Sequence, residues 1–164
     1  MVQKKVCVLG AYGVGKTSLI RRYVQSIFSD TYLTTVGVKI DKKTVTVGGD
    51  LLTLLLWDIA GEDGVSTIRM SYVRGAAGYF LVADGTRPET LENARSIQSR
   101  VTAEIGPVPF LLLLNKADLQ EHWELSRDPV EALEHEGWTI LRTSAKTGHG
   151  VEEAFQEIAR RLIA

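Results

Sequence analysis

The sequence predicts a single α/β domain, residues 1–164, with a mostly parallel, doubly wound sheet. The chain has 164 residues, which is close to one typical domain length. Short apolar runs alternate with amphipathic stretches, as strands and helices do along a parallel sheet. A composition of 45% hydrophobic and 24% charged residues is typical of globular proteins. We expect about six strands, one of them antiparallel, and about five helices.

The individual elements follow from these patterns. Apolar runs predict strands at residues 5–9, 51–57, 79–83, 110–114 and 138–142. Helical periodicity predicts helices at residues 16–25, 89–105, 129–136 and 151–163. Residues 38–47 alternate between apolar and polar side chains and meet the next strand through Gly48, Gly49 and Asp50. This pattern predicts a hairpin that adds the antiparallel strand.

Charge and cysteine content exclude several classes of function. A net charge of −1 argues against a nucleic-acid partner. Cys7 is the single cysteine, so neither an intrachain disulfide nor a cysteine zinc cluster is expected. The apolar runs are too short to span a bilayer. No signal-peptide core follows Met1, and the last residues hold no cysteine for prenylation. We expect a cytoplasmic monomer. Any attachment to the cytosolic face of a membrane is expected to come from partners or from a tail that lies outside this chain.

The sharpest motif is residues 10–17, which fits G-x-x-x-x-G-K-[ST] between a predicted strand and a predicted helix. In such a loop, backbone N–H groups turn toward a phosphate, and the helix that follows adds the positive end of its dipole. Lys16 would neutralise the outer phosphates, and Thr17 would offer its hydroxyl to Mg²⁺. The motif therefore predicts a P-loop NTPase fold.

A second motif follows the strand at residues 51–57. Asp58 ends this strand, and Gly61 comes three residues later. In a nucleotide site, the carboxylate suits Mg²⁺ held through water, and the glycine N–H can reach a terminal phosphate. An aspartate at the end of a strand is by itself more often a turn former, so this interpretation depends on the phosphate loop.

Two further motifs follow the last two predicted strands. They are Asn115-Lys116-Ala117-Asp118 and Thr143-Ser144-Ala145-Lys146. Both are expected at the carboxyl edge of the sheet, where open α/β folds bind ligands. The Asp118 carboxylate can accept two N–H donors from guanine, which adenine does not offer. This chemistry favours guanine over adenine.

Together these motifs resemble the Ras superfamily of small GTPases, and its Rab branch most closely. The resemblance covers essentially the whole chain. It implies that Phe28 lies against the purine ring, that Lys116 and Lys146 flank the base, and that Ala145 donates its N–H to the guanine oxygen. It also implies that Thr35 is a Mg²⁺ ligand and that Tyr32 lies over the phosphates.

The complete predicted site follows from the motifs and the resemblance. The predicted nucleotide-binding residues are Gly13, Val14, Gly15, Lys16, Thr17, Ser18, Phe28, Tyr32, Thr35, Gly61, Asn115, Lys116, Asp118, Ser144, Ala145 and Lys146. The predicted Mg²⁺ ligands are Thr17, Thr35 and Asp58, and the predicted catalytic residues are Glu62, Lys16 and Gly61. The resemblance implies a switch between GTP and GDP states, read by effector, exchange-factor and activator proteins in membrane traffic or signalling.

Two positions near the predicted phosphate site differ from the family pattern. Glu62 stands where relatives usually have the glutamine that orients the attacking water. Tyr12 occupies a loop position that is small in many relatives, where a ring could exclude an arginine from an activating partner. We therefore expect slow intrinsic hydrolysis, poorly stimulated in trans. For Glu62 the alternative is a surface acid that points to solvent, and for Tyr12 it is a ring on the surface of the loop.

Two other functional classes stay open. A phosphotransferase or ATPase could use the same phosphate loop, although we see no insertion for an acceptor site, and Asp118 favours guanine. A pseudo-GTPase could hold GTP and recruit partners with negligible turnover, because Glu62 and Tyr12 occupy positions on which the rate depends.

Overall fold

A mixed seven-stranded sheet forms the centre of the molecule, in the spatial order β2-β3-β4-β1-β5-β6-β7. The computed structural model describes residues 2–24, 32–33, 38–63 and 67–163, with residues 32 and 33 described by their backbone alone. The strands are β1 (Val2–Gly10), β2 (Tyr32–Leu33), β3 (Val38–Val47), β4 (Asp50–Ile59), β5 (Gly78–Asp84), β6 (Phe110–Asn115) and β7 (Ile140–Arg142). The described helices are α1 (Lys16–Val24), α2 (Glu89–Ile105), α3 (Arg127–His135) and α4 (Val151–Ile163), with short 3-10 helices at Met70–Val73 and Gln120–His122.

The pairing of the strands confirms the predicted fold class. β4, β1, β5, β6 and β7 run parallel to one another, whereas β3 pairs antiparallel with β4 and with the two-residue β2. β3 is therefore the expected antiparallel strand of the hairpin. β1 lies at the centre, and its two neighbours β4 and β5 continue toward opposite edges of the sheet. In open α/β sheets the ligand crevice lies at such a point, outside the carboxyl ends of the strands.

Alternating side chains of the central strands supply a core on each face. Phe80 and Val82 of β5 pack with α1 and α4, while Tyr79 and Leu81 pack with α2. On the first face Phe155 stacks on Tyr23, with a distance of 3.8 Å between ring centroids. Burial on both faces explains why the central strands are nearly continuous apolar runs in the sequence.

Several predicted boundaries moved, and the starts of α3 and β7 have an identifiable physical reason. Helix α3 begins at Arg127 rather than at residue 129, because proline is tolerated in the first turn, where its missing N–H has no helical partner. Strand β7 begins at Ile140 rather than at residue 138, since the backbone N–H of Trp138 bonds to the Leu133 carbonyl at the end of α3. Among the described helices, none combines the length and the apolar character that crossing a bilayer requires.

Candidate nucleotide-binding site

The phosphate loop joins the end of β1 to the start of α1. Gly15 has φ +102°, and a Cβ placed on it would collide with the side-chain amide of Asn115. Leu19 donates its N–H to the Gly15 carbonyl over 2.9 Å, so the first turn of α1 begins directly behind the loop. The loop, the glycine conformation and the helix N-terminus together form the arrangement that binds phosphates.

Lys16 lies inside this loop with only 6% of its surface exposed. Its Nζ donates to the Ala11 carbonyl over 3.1 Å. Burial lowers the pKa of Lys16, and the charges of Asp58 and Glu62 oppose that shift. Gly61 lies close to the same amine, because a Cβ on Gly61 would stand 2.6 Å from the Lys16 Nζ. Only a glycine fits between the lysine and the loop, which accounts for the residue type at this position.

Thr17 and Asp58 meet at the carboxyl ends of β1 and β4. The Thr17 hydroxyl donates to Asp58 Oδ2 over 2.5 Å. Burial raises the pKa of Asp58, although this hydrogen bond and the charge of Lys16 oppose the rise. Because the hydroxyl proton points to Asp58, its oxygen lone pairs are available to a cation. Hydroxyl and carboxylate oxygens are donors that suit Mg²⁺, so these residues fit the ion that the sequence predicts.

Asn115 connects the phosphate loop to the two guanine motifs. Its side-chain amide donates to the Val14 carbonyl over 2.9 Å, and its Oδ1 accepts a hydrogen bond of 3.1 Å from the hydroxyl of Thr143. Thr143 itself is fully buried. One side chain therefore holds the ends of β6 and β7 and the phosphate loop together, so Asn115 positions the parts of the site.

Lys116 is held by a partner that the motifs did not indicate. Its backbone has φ +67°, and its Nζ forms an ion pair of 2.8 Å with Asp84 at the end of β5. Burial alone would raise the pKa of Asp84, but hydrogen bonds from Lys116 and Thr86 hold it below the ordinary value. The sequence analysis missed Asp84, which holds a predicted site residue in place. Its position, an acid directly after a buried apolar run, could have indicated it, as it did for Asp58.

Asp118 is oriented by the neighbouring loop. Its Oδ1 accepts a hydrogen bond of 2.7 Å from the hydroxyl of Ser144, which in turn accepts one of 3.1 Å from the N–H of Thr147. The carboxylate borders a cavity of about 430 Å³ lined by Gly15, Ser18, Asn115, Lys116, Asp118, Leu119, Ala145 and Lys146. The predicted guanine-reading residues therefore surround one cavity of a size that suits a base.

A second cavity, of about 480 Å³, continues from the first along the phosphate loop. It is lined by Tyr12, Gly13, Gly15, Lys16, Thr17, Ser18, Asp58, Ile59, Ala60, Gly61 and Lys116. The two cavities share Gly15, Ser18 and Lys116. The structure thus brings the predicted phosphate and magnesium residues beside the base cavity, in the arrangement that a nucleotide requires.

Glu62 occupies a different environment from the one expected for a water-orienting residue. The side chain is buried, and its carboxylate accepts hydrogen bonds from Arg100, from Asn93 and from the backbone N–H of Ile68. The closest contact, from Arg100 Nη1 to Glu62 Oε1, is 2.6 Å. Burial alone would raise the pKa of Glu62, but the three hydrogen bonds and the Arg100 charge hold it below the ordinary value. The solvent-facing alternative for Glu62 is therefore wrong.

Tyr12 is the other unusual position, and its side chain is 72% exposed. Its backbone N–H donates to the Glu62 carbonyl over 2.7 Å, while the Glu62 N–H donates to the Gly10 carbonyl over 3.2 Å. Tyr12 is exposed, as the surface alternative expects, but it also lines the phosphate cavity. Its effect on a partner's arginine stays a prediction. The backbone around Gly61 and Glu62 is joined to the phosphate loop.

Three predicted residues cannot be placed in this site. Phe28 and Thr35 lie outside the described residues, and Tyr32 is described only by the backbone pairing of β2 with Ile40. Their roles at the base, at the Mg²⁺ ion and over the phosphates stay predictions. The remaining predicted nucleotide residues, except Val14 and Ser144, line the two cavities directly.

The site contains a glycine loop with a buried lysine, a Thr-Asp pair and an aspartate that faces a base cavity. Together these features define a P-loop guanine-nucleotide-binding protein. Comparison with known proteins identifies the family. The sequence model described as the Ras family matches residues 5–164. The chain therefore belongs to the Ras family, and it is a Rab-like small GTPase.

The relatives are all similar over nearly the whole chain. Ras-related protein Rab-13 of Bos taurus is 36% identical over 162 residues, which cover 97% of this chain and 79% of the relative. Ras-related protein Rab-8B of Homo sapiens is 34% identical over 164 residues, with 97% and 78% covered. The GTP-binding protein ypt2 of Schizosaccharomyces pombe is 33% identical over 160 residues, with 96% and 80% covered. These comparisons confirm the Rab-like resemblance.

Proposed function

We propose that this chain binds GTP and GDP with Mg²⁺, hydrolyses GTP slowly, and changes the surface it presents to partners when the terminal phosphate is lost. The observation that carries the proposal is the Asp118 carboxylate, oriented by Ser144 beside a base-sized cavity that continues into the phosphate cavity. Effector, exchange-factor and activator proteins belong to this proposal, as does a role in membrane traffic or signalling. The cytoplasmic location stays a prediction.

The residues that would hold Mg²⁺ are Thr17 and Asp58, with Thr35 as a further predicted ligand. Among the described residues there is no group of three His, Cys, Asp or Glu side chains able to hold a metal. The ion would therefore depend on the Thr17 hydroxyl, on water held by Asp58 and on phosphate oxygens. When bound, it supplies positive charge beside the outer phosphates.

Slow hydrolysis follows from the place of Glu62. Its carboxylate is engaged by Arg100, Asn93 and the Ile68 N–H, and it is not among the described residues that line the phosphate cavity. To reach an attacking water, the side chain must leave these donors, and breaking charge-assisted hydrogen bonds at a buried group is costly. The intrinsic rate is then limited by how seldom the side chain is released.

The conformational change is proposed for the segment around Gly61. Its close approach to the Lys16 amine and its backbone bonds to the phosphate loop bring it to the end of the phosphate cavity. A terminal phosphate bound by Lys16 would meet this segment directly. Gain and loss of that phosphate would therefore change the contacts of the segment around Gly61, as in switch segments that are ordered by a γ-phosphate.

Substitution of Asp118 tests the choice of base. Asp118→Asn removes the carboxylate acceptor and presents an amide donor that suits the C2 oxygen of xanthine. We expect GTP affinity to fall about 10- to 100-fold and xanthosine triphosphate affinity to rise. Asp128→Asn, in the exposed first turn of α3, serves as the control. Equal GTP affinity in the native chain and Asp118→Asn, measured by fluorescent nucleotide titration, would contradict the proposal.

A second function, a pseudo-GTPase that holds GTP and recruits partners, is favoured by the same engagement of Glu62. Single-turnover hydrolysis by the native chain, Tyr12→Gly and Glu62→Gln separates the two. A slow but measurable native rate that either substitution changes supports the GTPase. GTP that stays intact in all three chains supports the pseudo-GTPase.

A further inference from the structure

The loop between β5 and α2 carries an arginine to the phosphate loop. Arg87 Nη1 donates to the Tyr12 carbonyl over 2.9 Å, although 75 residues separate the two in sequence. The same Nη1 stands 3.3 Å from the point where a Cβ on Gly13 would lie. Tyr12 and Gly13 both line the phosphate cavity, so the guanidinium lies next to two residues that border that cavity.

The backbone that presents Arg87 is firmly held. Its N–H donates to the Asp84 carbonyl over 2.9 Å, and its carbonyl accepts a hydrogen bond of 2.7 Å from the hydroxyl of Thr90. Thr86 donates twice to Asp84 Oδ1, at 2.8 and 2.7 Å. Because the backbone of Arg87 is already held, only its side chain must be ordered when the charge is positioned, and the entropic cost is small.

The side-chain contacts of Arg87 are weak by comparison. Its Nε is 3.4 Å from Glu89 Oε1, and both side chains are well exposed. Such surface ion pairs contribute little to stability. The contacts with Glu89 and Tyr12 are made by Nε and Nη1 of the guanidinium. A guanidinium beside a polyanion site is suited to phosphate oxygens, which it contacts with paired N–H groups.

We propose that Arg87 is an arginine supplied in cis: when GTP is bound, its guanidinium leaves the Tyr12 carbonyl and contacts the terminal phosphate. This inference rests on the proposed function. In the reaction, a water oxygen forms a bond to the γ-phosphorus while the bond from that phosphorus to the β–γ bridging oxygen breaks. The electron pair stays on the β-phosphate of GDP, and the water proton leaves with phosphate or solvent. Arg87 exchanges no proton, and it stabilises charge in the transition state.

A cis arginine also accounts for the combination of the two unusual positions. Tyr12 crowds the rim through which a partner would insert its own arginine, and Glu62 is held away from the cavity. Arg87 reaches the Tyr12 carbonyl from within the chain and needs no open approach. The chain would then hydrolyse GTP without an arginine from an activator.

The test compares the native chain with Arg87→Ala and Arg87→Lys, and with Arg95→Ala as the matched control. Arg95 is a partly exposed arginine on α2, the helix that follows Arg87, and it pairs at the surface with Glu136. Three quantities are measured on each chain alone: GDP affinity, the single-turnover rate of GTP hydrolysis, and binding of aluminium fluoride in the presence of GDP, as a transition-state probe.

We expect Arg87→Ala to slow hydrolysis about 10- to 1000-fold and to abolish aluminium fluoride binding, because both depend on charge at the terminal phosphate. GDP affinity should stay within about threefold, because GDP lacks that phosphate. Arg87→Lys should restore part of the rate, since it keeps the charge but loses the paired donors. Arg95→Ala should match the native chain.

Several outcomes would overturn the inference. One is a native hydrolysis rate in Arg87→Ala. Another is a parallel loss of GDP affinity and folding in both Arg87 variants, which would make Arg87 a structural clamp on the loop. A native rate in Arg87→Ala overturns the inference alone. A native chain that binds GDP but never hydrolyses GTP would also overturn the hydrolysis in the proposed function, and a native chain that binds no guanine nucleotide would overturn the proposed function entirely.

Discussion

Arg100 and Glu62 form the closest ion pair around the site, and one partner of this pair is buried while the other is partly exposed. The side chain of Glu62 is 6% exposed and that of Arg100 is 33% exposed. A buried carboxylate without a compensating charge is costly. Because water already reaches Arg100, water can replace part of the stabilisation that the arginine gives to the Glu62 charge. The pair therefore holds the segment after Gly61 against α2 with a moderate free energy.

Removing Arg100 should reveal that free energy. We expect Arg100→Ala to lower the free energy of unfolding by about 1–2 kcal/mol, because Glu62 then keeps only Asn93 and the Ile68 N–H as donors. The measurement is urea denaturation. The control Arg95→Ala should change stability by less than about 0.5 kcal/mol.

A double variant distinguishes loss of the pair from loss of arginine packing. Adding Glu62→Gln to Arg100→Ala removes the buried charge, so part of the lost stability should return. If the two substitutions are additive, the ion pair is not what stabilises this segment.

At the scale of elements, the junction of β1 with α1 is built around the contact between Gly15 and Asn115. Gly15 has a positive φ, and its missing side chain leaves room for the Asn115 amide, which donates to Val14. Asn115 also bonds to Thr143 at the end of β7. The loops that follow β1, β6 and β7 are thus coupled through the Asn115 side chain, and the nucleotide cavities border this junction.

Gly15→Ala should disrupt this junction for two reasons, the positive φ and the collision with Asn115. Gly106→Ala provides the control, because Gly106 also has a positive φ but no atom within 4 Å of its added Cβ. We expect Gly106→Ala to cost about 1 kcal/mol of stability without changing nucleotide affinity. Gly15→Ala should cost more and lower GDP affinity at least about tenfold. Thermal denaturation and nucleotide titration measure the two effects, and similar behaviour of both variants would refute the role of the Asn115 contact.

For the whole molecule, buried carboxylates at the carboxyl edge of the sheet link stability to pH with opposite signs. The pKa values of Glu62 and Asp84 are lowered, so their contribution is complete above their unfolded pKa values and is lost as pH falls through the folded ones. The pKa of Asp58 is raised, so its buried charge costs stability near neutral pH, and that cost disappears as pH falls. The same edge that assembles the site therefore makes the fold sensitive to acid.

Glu62→Gln isolates one share of this pH dependence. We expect the native chain to be more stable than Glu62→Gln by an amount that is constant well above the pKa of an unfolded glutamate, about 4.3. The difference should shrink as pH falls below that value and through the lowered pKa of the folded Glu62 carboxylate. Urea denaturation of both chains across this range measures the difference. A difference that does not change with pH would show that the carboxylate charge is irrelevant to stability.

Local patterns in the sequence were sufficient for most of the fold and for the nucleotide motifs. The alternating apolar runs predicted the strands, because a strand buried on both faces must be apolar along its length. The phosphate loop and Asp118 could be predicted because their chemistry depends on residue types at fixed local spacing. The boundaries of α3 and β7 could not, since they depend on a tolerated proline and on one backbone bond from Trp138.

The sequence by itself determined the class of fold, and it predicted the guanine-reading residues and the magnesium pair. Only the tertiary structure decided where Glu62 points, that Asp84 holds Lys116, and that Arg87 reaches the phosphate loop. The physical reason is distance along the chain: Glu62 and Arg100 are 38 residues apart, and Arg87 and Tyr12 are 75 apart. Such contacts depend on how strands and helices pack, so no local pattern of residues specifies them.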